Sequence, residues 1–556
     1  MKRRLAWSSI NAWIGPMVIG AAVGIAVSVA FYFFYGLWKV FERALATVPN
    51  LAYSFVFLSI ILSSLPIRMF LKRRPKDSFD VVLEYYHTSP GSLSLRDSSL
   101  YALSSFLSFA FGAPVGPEGG AALVGAGISK KVRDLLGVEI DQKTILMTGL
   151  AAGFTALFKA PLSGFLLSLE LPYRGDLEKD PFLPSALASA TSYLTSFVLK
   201  TPSIISSVSF QAMPLTITVI AISLAFGIVS GLFSIGFISF YRAFSRLAQI
   251  LMRVASFPLL ILIGGLMVGT LGYLFPASIG PGFGLLSSAL LVKLGLTAAI
   301  LALVLRIVTV SSVINFGASG GLLLPSIEIG ALFGYVIGYA FFPRYVVLFV
   351  LLGMASMAAG VNKIVLVPVT FLLELVGGSL AIPLLISSIA SYFISYRFTI
   401  YEYQPANKLD RGTFALERFY SRALRTAPHV SEVMVKDIMN RNPVFIEHGK
   451  TVNEAFRLLK EKTLKVLPVV NEDGVFLGYV SIEYLASLPE RYRSLTLADL
   501  EIKRGLTVSS TSRLGEVVDA MLSSEEDHVF VVDEGWKLIG VLTEVDIIRF
   551  LLSVLP

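Results

Sequence analysis

The chain has 556 residues, 55% of them apolar and only 15% charged, with a mean hydropathy of +0.74. Soluble globular chains carry about a quarter charged residues, so this composition excludes an ordinary cytosolic enzyme and points to a membrane protein. There is no cysteine, which removes disulfides, thiolate metal sites and cysteine nucleophiles together, and 46 Lys and Arg against 38 Asp and Glu leave a formal charge of +8.

Taken in chain order, Met1-Lys2-Arg3-Arg4 ahead of an apolar segment has the look of a signal peptide. No small-residue cleavage site follows and the apolar region simply continues, so that reading is rejected. Long apolar runs then fill residues 13–396, among them 18–34, 53–65, 215–240, 259–275, 298–313 and 346–359. A spanning helix needs about 20 mostly apolar residues. Some stretches are shorter and cut by Gly, Pro or Ser, as at 112–127 and 317–325. Non-helical backbone at membrane depth is tolerated only where protein buries it or where it lines a polar cavity. Broken helices therefore mark a transport pathway more often than an anchor. The N-terminal basic cluster, Arg68 with Lys72, Arg73, Arg74 and Lys76, and Lys130 with Lys131 and Arg133 predict cytoplasmic faces by the positive-inside rule. Residues 402–433 form a polar, basic linker, and from residue 434 the chain reads as soluble α/β with a cytoplasmic placement.

Two internal repeats stand out. In the tail, residues 469–481 lie over 531–543 without a gap, Gly478 over Gly540, a shift of 62. Each unit predicts a helix, a strand, an Asp/Glu/Gly turn, a second strand and another helix. In the membrane part, Gly149 leads through Lys159 to Glu170, and Gly353 leads through Lys363 to Glu374, with 21 residues from Gly to Glu in both. Repeated halves, often inverted in the membrane, place a binding site between them near the midplane.

Several residues are placed for chemistry. Gly116-Pro117-Glu118-Gly119-Gly120 opens a short helical run at 121–128. Free N–H groups at a helix start attract an anion, and glycines let backbone come close to it. A carboxylate there competes with the anion, so Glu118 is either a gate or a cap of its own helix. Glu328 lies inside an apolar run. An intramembrane carboxylate is costly and is a functional hypothesis by default. It is either a proton-pathway residue or the partner of a buried base such as Arg306 or Lys363.

Read together, these segments resemble the CLC chloride channel and transporter family. Residues 116–126 are similar to that family's Gly-Arg-Glu-Gly-Pro gating segment, residues 158–164 to its Asn-Ala-Pro-Leu-Ala-Gly segment, and residues 317–325 to its Gly-Gly-Ile-Phe-Ala-Pro segment. Tyr401 falls where the family has a tyrosine whose hydroxyl touches the central anion, and the tail resembles a tandem CBS pair. The resemblance implies an all-α polytopic membrane domain with inverted repeats and broken helices over residues 1–401. The 402–433 linker would then lead to CBS units at 434–490 and 491–556. It implies a homodimer in a cell membrane, each subunit passing chloride or another halide. Glu118 would gate, and Leu322, Leu323, Gly119, Gly120 and Tyr401 would line the anion site. Ser78 is the candidate for the family's central serine, although Asp77 beside an anion is unfavourable unless neutralised.

In a CBS unit a Gly-x-x-Ser/Thr-x-x-Asp stretch holds a nucleotide's ribose and phosphate. The second unit has Gly540, Thr543 and Asp546, whereas the first has Gly478 and Ser481 but Tyr484 in place of the acid. The tail is thus either a site for an adenine nucleotide (ATP, ADP or AMP) or a dimerisation and stability module, and no cofactor is required. Family antiporters carry an inner, proton-taking glutamate after the position of Glu170, where this chain has Leu171. That favours uncoupled, channel-like flux, with a proton-coupled antiporter using another route, such as Glu328, as the alternative.

Other classes fare worse. The four histidines, His87, His429, His448 and His528, have no metalloprotease spacing, which excludes a zinc protease. A CBS-regulated divalent-cation transporter would want clustered pathway carboxylates, and Glu118, Glu170, Glu328 and Glu374 are scattered. A membrane-bound nucleotide sensor leaves the broken helices unexplained. Basic residues at membrane edges give no support to nucleic-acid binding.

Overall fold

Helices carry almost the whole of the first of two units, Met1–Ala406, in the computed structural model; the second unit is Asn407–Pro556. The structure describes residues 2–88, 93–202, 215–254, 256–408, 411–487, 492–500, 502–524 and 526–554. The first half of the membrane unit runs α1 (Lys2–Thr47), α2 (Leu51–Pro66), α3 (Ser78–Thr88), α4 (Leu95–Ala110), α5 (Glu118–Leu136), α6 (Gln142–Phe158), α7 (Pro161–Glu170) and α8 (Phe182–Val198). The second runs α9 (Ile217–Val254), α10 (Phe257–Leu274), α11 (Phe283–Leu290), α12 (Leu296–Asn315), α13 (Leu323–Phe341), α14 (Val346–Asn362), α15 (Leu366–Val376) and α16 (Ala381–Ser395). Among the described residues, eight helical segments are long and apolar enough to cross a bilayer.

The halves correspond element by element. α3 and α11 begin 205 residues apart (78 and 283), as do α5 and α13 (118 and 323) and α7 and α15 (161 and 366). Small residues explain why matched pairs pack so closely. A Cβ on Gly125 of α5 would lie 1.9 Å from the Gly149 carbonyl of α6, and one on Gly330 of α13 would lie 2.2 Å from the Gly353 carbonyl of α14. Lipid offers no hydrophobic drive for helices to associate, so backbone approach at such positions supplies the attraction.

Two acids fix the relation between the halves. Glu170, at the C-terminal end of α7, accepts from the amides of Val365 (3.1 Å), Leu366 (2.8 Å) and Val367 (2.9 Å) at the start of α15. Glu374, near the C-terminal end of α15, accepts from the amides of Leu162 (2.8 Å) and Ser163 (3.2 Å) and the Ser163 hydroxyl (2.5 Å) at the start of α7. Each carboxylate meets the positive end of the other helix. Such an exchange needs α7 and α15 antiparallel, so the halves are inverted.

In the second unit the shift of 62 survives in three dimensions. β1 (Ile446–Glu447), α18 (Val452–Glu461), β2 (Val466–Val470) and β3 (Phe476–Ser481), followed by α19 (Ile482–Ser487), form one repeat. β4 (Thr507–Ser509), α20 (Leu514–Ser524), β5 (His528–Val532), β6 (Leu538–Thr543) and α21 (Glu544–Val554) form the other. Each sheet pairs its first two strands parallel and its last two antiparallel, with a register shift at Val469/Val470 and again at Val531/Val532. The stretch expected to be a linker instead contains α17 (Arg411–Thr426), whose Leu416, Tyr420 and Ala423 are buried in one core with Leu542, Ile547 and Leu551. Its apolar residues recur at helical spacing, so the polar composition of that stretch hid an amphipathic element.

Candidate functional site

Three helix starts converge inside the membrane unit. α3 begins at Ser78, α5 at Glu118 and α13 at Leu323, and the loops that precede them are laced together. Gly116 and Gly321 exchange amide-to-carbonyl bonds of 3.0 and 3.1 Å, and the Ser78 amide donates to the Gly320 carbonyl at 3.1 Å. Glycine is required where these loops meet side chains: a Cβ on Gly321 would stand 2.2 Å from Glu118 Oε1, and one on Gly119 would stand 2.5 Å from Ser78 Oγ. Helix starts carry unsatisfied N–H groups and partial positive charge, so three of them aimed at one buried point make an anion site from backbone alone.

Glu118 occupies that point. Its carboxylate is buried, Oε1 accepts from the Leu324 amide at 3.0 Å, and Oε2 has no hydrogen-bond partner among the described residues. The Ser78 hydroxyl is also buried and without a partner among the described residues. A carboxylate resting on a helix N-terminus can leave it to a small anion of similar charge. Gly120 faces elsewhere, against the Phe106 ring.

Tyr401 reaches the same helix end through a chain of hydroxyl and amide groups. Its hydroxyl donates to Asn362 Oδ1 (2.6 Å), Asn362 Nδ2 donates to Ser326 Oγ (2.9 Å), and that hydroxyl donates to the Leu323 carbonyl (2.6 Å). Asp80 of α3 holds the Tyr401 loop by accepting from the amides of Glu402 (2.7 Å) and Tyr403 (3.1 Å). Gln404 closes the region, donating to the carbonyls of Leu171 (3.0 Å) and Asn362 (3.2 Å). The amide of Leu322, expected to be free for an anion, is instead donated to Asp77 Oδ2 at 2.9 Å. The donor to Glu118 is Leu324, and sequence reading named neither Leu324 nor Asn362 nor Ser326.

Glu328 lies further along α13 in a separate cluster. Arg306 donates to its Oε2 from Nε (3.0 Å) and Nη2 (2.6 Å), and from Nη1 to the carbonyls of Gly280 (2.7 Å) and Ser278 (3.3 Å). Both side chains are fully buried. Lys363, the other candidate partner, instead bonds the carbonyls of Gly360 and Ser395 and the Ser395 hydroxyl. Glu118, Glu170, Glu328 and Glu374 thus each have their own partners, a scattered set rather than the cluster of carboxylates a hard cation needs.

The model of the voltage-gated chloride channel family matches residues 60–396, which is more than half of the chain. The chain belongs to this family. Its members are transport proteins rather than enzymes, and with eight membrane-length helices among the described residues this one is a multi-pass membrane protein. Two CBS domain matches follow at residues 435–490 and 497–553. An uncharacterized protein of Methanocaldococcus jannaschii is 24% identical over 298 residues, 53% of this chain and 73% of that one. A protein of Ralstonia nicotianae named as a ClcB-like chloride channel is 26% identical over 353 residues, 60% of this chain and 80% of that one. The crystal structure of a CLC-type fluoride/proton antiporter shares the fold with a TM-score of 0.62 at 24% identity, covering 71% of this chain and 98% of that one. A eukaryotic CLC transporter does so with a TM-score of 0.64 at 18% identity, covering 97% and 98%.

In the CBS pair, Thr543 and Asp546 are bonded to each other. The Thr543 amide and hydroxyl donate to Asp546 Oδ2 at 3.1 and 2.6 Å, and the Asp546 amide donates back to Thr543 Oγ1 at 3.3 Å. This is a capping box at the start of α21. Ser481 accepts from the Tyr484 amide at 3.2 Å in the first repeat.

Proposed function

We propose that the chain passes chloride or a similar halide across a lipid bilayer, one pathway in each subunit of a homodimer, with Glu118 as the gate. The observation that carries this reading is the buried Glu118 carboxylate on the Leu324 amide, where three helix starts meet beside an unpartnered Ser78 hydroxyl. Amide and hydroxyl donors stabilise a halide without the full positive charge that would trap it. Of the residues expected to line the anion site, Leu323, Gly119 and Tyr401 contribute the walls, whereas the Leu322 amide is taken by Asp77 and Gly120 faces Phe106.

Uncoupled flux is the favoured mode. Leu171 is buried and apolar, and its neighbour Glu170 is committed to three amides, so neither serves as an inner proton carrier. The specific observation on the other side is Glu178, a buried carboxylate that accepts from the Tyr86 hydroxyl and whose amide bonds the Leu169 carbonyl at 2.9 Å. It would offer proton-coupled exchange a titratable group where Leu171 offers none. Glu328 suits that task less, being held by Arg306.

The basic loop ends favour a cytoplasmic N-terminus and CBS tail in the cell membrane. An adenine nucleotide at the second CBS unit would use Thr543 and Asp546, with Ser481 in the first. The experiment is the purified full-length protein in liposomes, with chloride efflux and proton uptake recorded together. Chloride efflux without proton movement supports the favoured mode, a fixed proton stoichiometry replaces it with exchange, and chloride-tight vesicles reject the function.

A further inference from the structure

Asp77 is a buried acid at the meeting of the three helix starts, and gating by Glu118 makes no use of it. Its Oδ1 accepts from the Asp80 amide and its Oδ2 from the Leu322 amide, both at 2.9 Å. Glu118 takes the Leu324 amide, so two carboxylates rest on amides two residues apart at the start of α13. The cations nearby in sequence or in the fold are spent on other acids, Lys76 on Asp80 and Glu84 and Arg306 on Glu328. Two buried polar atoms at this site, Ser78 Oγ and Glu118 Oε2, have no hydrogen-bond partner among the described residues.

A helix N-terminus offers about half a unit of positive charge. Three such ends offer about one and a half units, which two carboxylates already exceed, and an entering halide would bring a third negative charge into a buried site. We propose that Asp77 is a second tethered anion of this site, holding the Leu322 amide that a permeating halide would otherwise take. Halide occupancy is then set by two carboxylates rather than by Glu118 alone. This rests on the reading of the site as a halide pathway. The structural alternative is that Asp77 only caps α3 and pins α13; an asparagine keeps one acceptor for the Asp80 amide while removing the charge and releasing the Leu322 amide, so competition tightens halide binding where a purely structural role lowers stability with affinity unchanged.

The test is a chloride titration by calorimetry on purified full-length protein at pH 7.5. Glu118→Gln removes the first competitor and sets the baseline. Adding Asp77→Asn tightens chloride binding about tenfold if the charge competes, since tenfold corresponds to one pH-sized step of interaction between charged and neutral forms. An affinity within twofold of the Glu118→Gln baseline overturns the proposal. Absence of chloride binding in Glu118→Gln itself rejects the halide pathway, which is a distinguishable failure. Asp77→Ser, which keeps a hydroxyl acceptor for the Asp80 amide, serves if the asparagine variant does not fold.

Discussion

Breaking the Arg306–Glu328 pair tests whether Glu328 is structural or part of a proton path. Arg306→Met leaves a buried carboxylate without its cation, which costs about 3–5 kcal/mol where measured elsewhere. It also strips a donor from the buried carbonyls of Gly280 and Ser278, worth about 1–3 kcal/mol more. Glu328→Met strands a guanidinium that keeps those carbonyls, so its cost falls near the lower end, about 3 kcal/mol. The double variant loses only the carbonyl bonds and fills the space with two apolar side chains, and costs about 1–3 kcal/mol. The two single costs together therefore exceed the double by about 6–8 kcal/mol, a coupling that a double-mutant cycle isolates. The assay is equilibrium unfolding in mixed detergent followed by tryptophan fluorescence, with chloride efflux per folded protein measured alongside on Glu328→Gln. Coupling below about 1 kcal/mol would refute the buried-pair reasoning. Retained chloride efflux with proton movement abolished in Glu328→Gln would return Glu328 to the proton path.

Tyr401→Phe removes the hydroxyl that reaches α13 through Asn362 and Ser326, so chloride affinity in calorimetry falls several-fold, by about 1 kcal/mol for one hydrogen bond. Gly125→Val cannot be accommodated 1.9 Å from the Gly149 carbonyl, and the variant fails to yield a monodisperse peak on size exclusion. Asp546→Ala removes the α21 cap and destabilises the tail by about 1 kcal/mol with no nucleotide present, read as faster amide exchange in α21 of the full-length protein. Burial, with the nearby Asp527 charge second, pushes Glu544 up to about 7. The folded tail therefore holds a proton that the unfolded chain releases above about 4.3. Its stability declines as pH rises from there through 7, and Glu544→Gln flattens that decline in amide exchange of β5 and β6.

The fold was largely legible because its repeats are carried by residue types that lipid makes rare. Glu170 and Glu374 stand out in apolar sequence, and their equal distances from Gly149 and Gly353 mark helices that cap each other. The correspondence of α3 with α11, one amphipathic and one apolar, was invisible, since apolar sequence resembles itself at any shift. At the site, the glycines around Glu118 made it a candidate in the sequence, and the structure places its carboxylate on the Leu324 amide. A backbone amide has no sequence signature, so the sequence did not mark Leu324 as the amide that holds Glu118. Asp77 was legible as an anomaly, an acid beside an anion, but one of the two amides that hold it belongs to Leu322, 245 residues away in the chain. Arg306 and Glu328 sit on different helices, and periodicity alone could not choose between Arg306 and Lys363 as the partner.

The most direct measurement is anomalous diffraction from bromide-soaked crystals of the Glu118→Gln protein beside the same soak of the unaltered chain. Occupancy of one buried anion within hydrogen-bond reach of the Leu324 amide and the Ser78 hydroxyl, strengthened when residue 118 loses its charge, is the expected result. A site free of bromide in both crystals, or bromide bound equally well with the carboxylate still resting on Leu324, would contradict it.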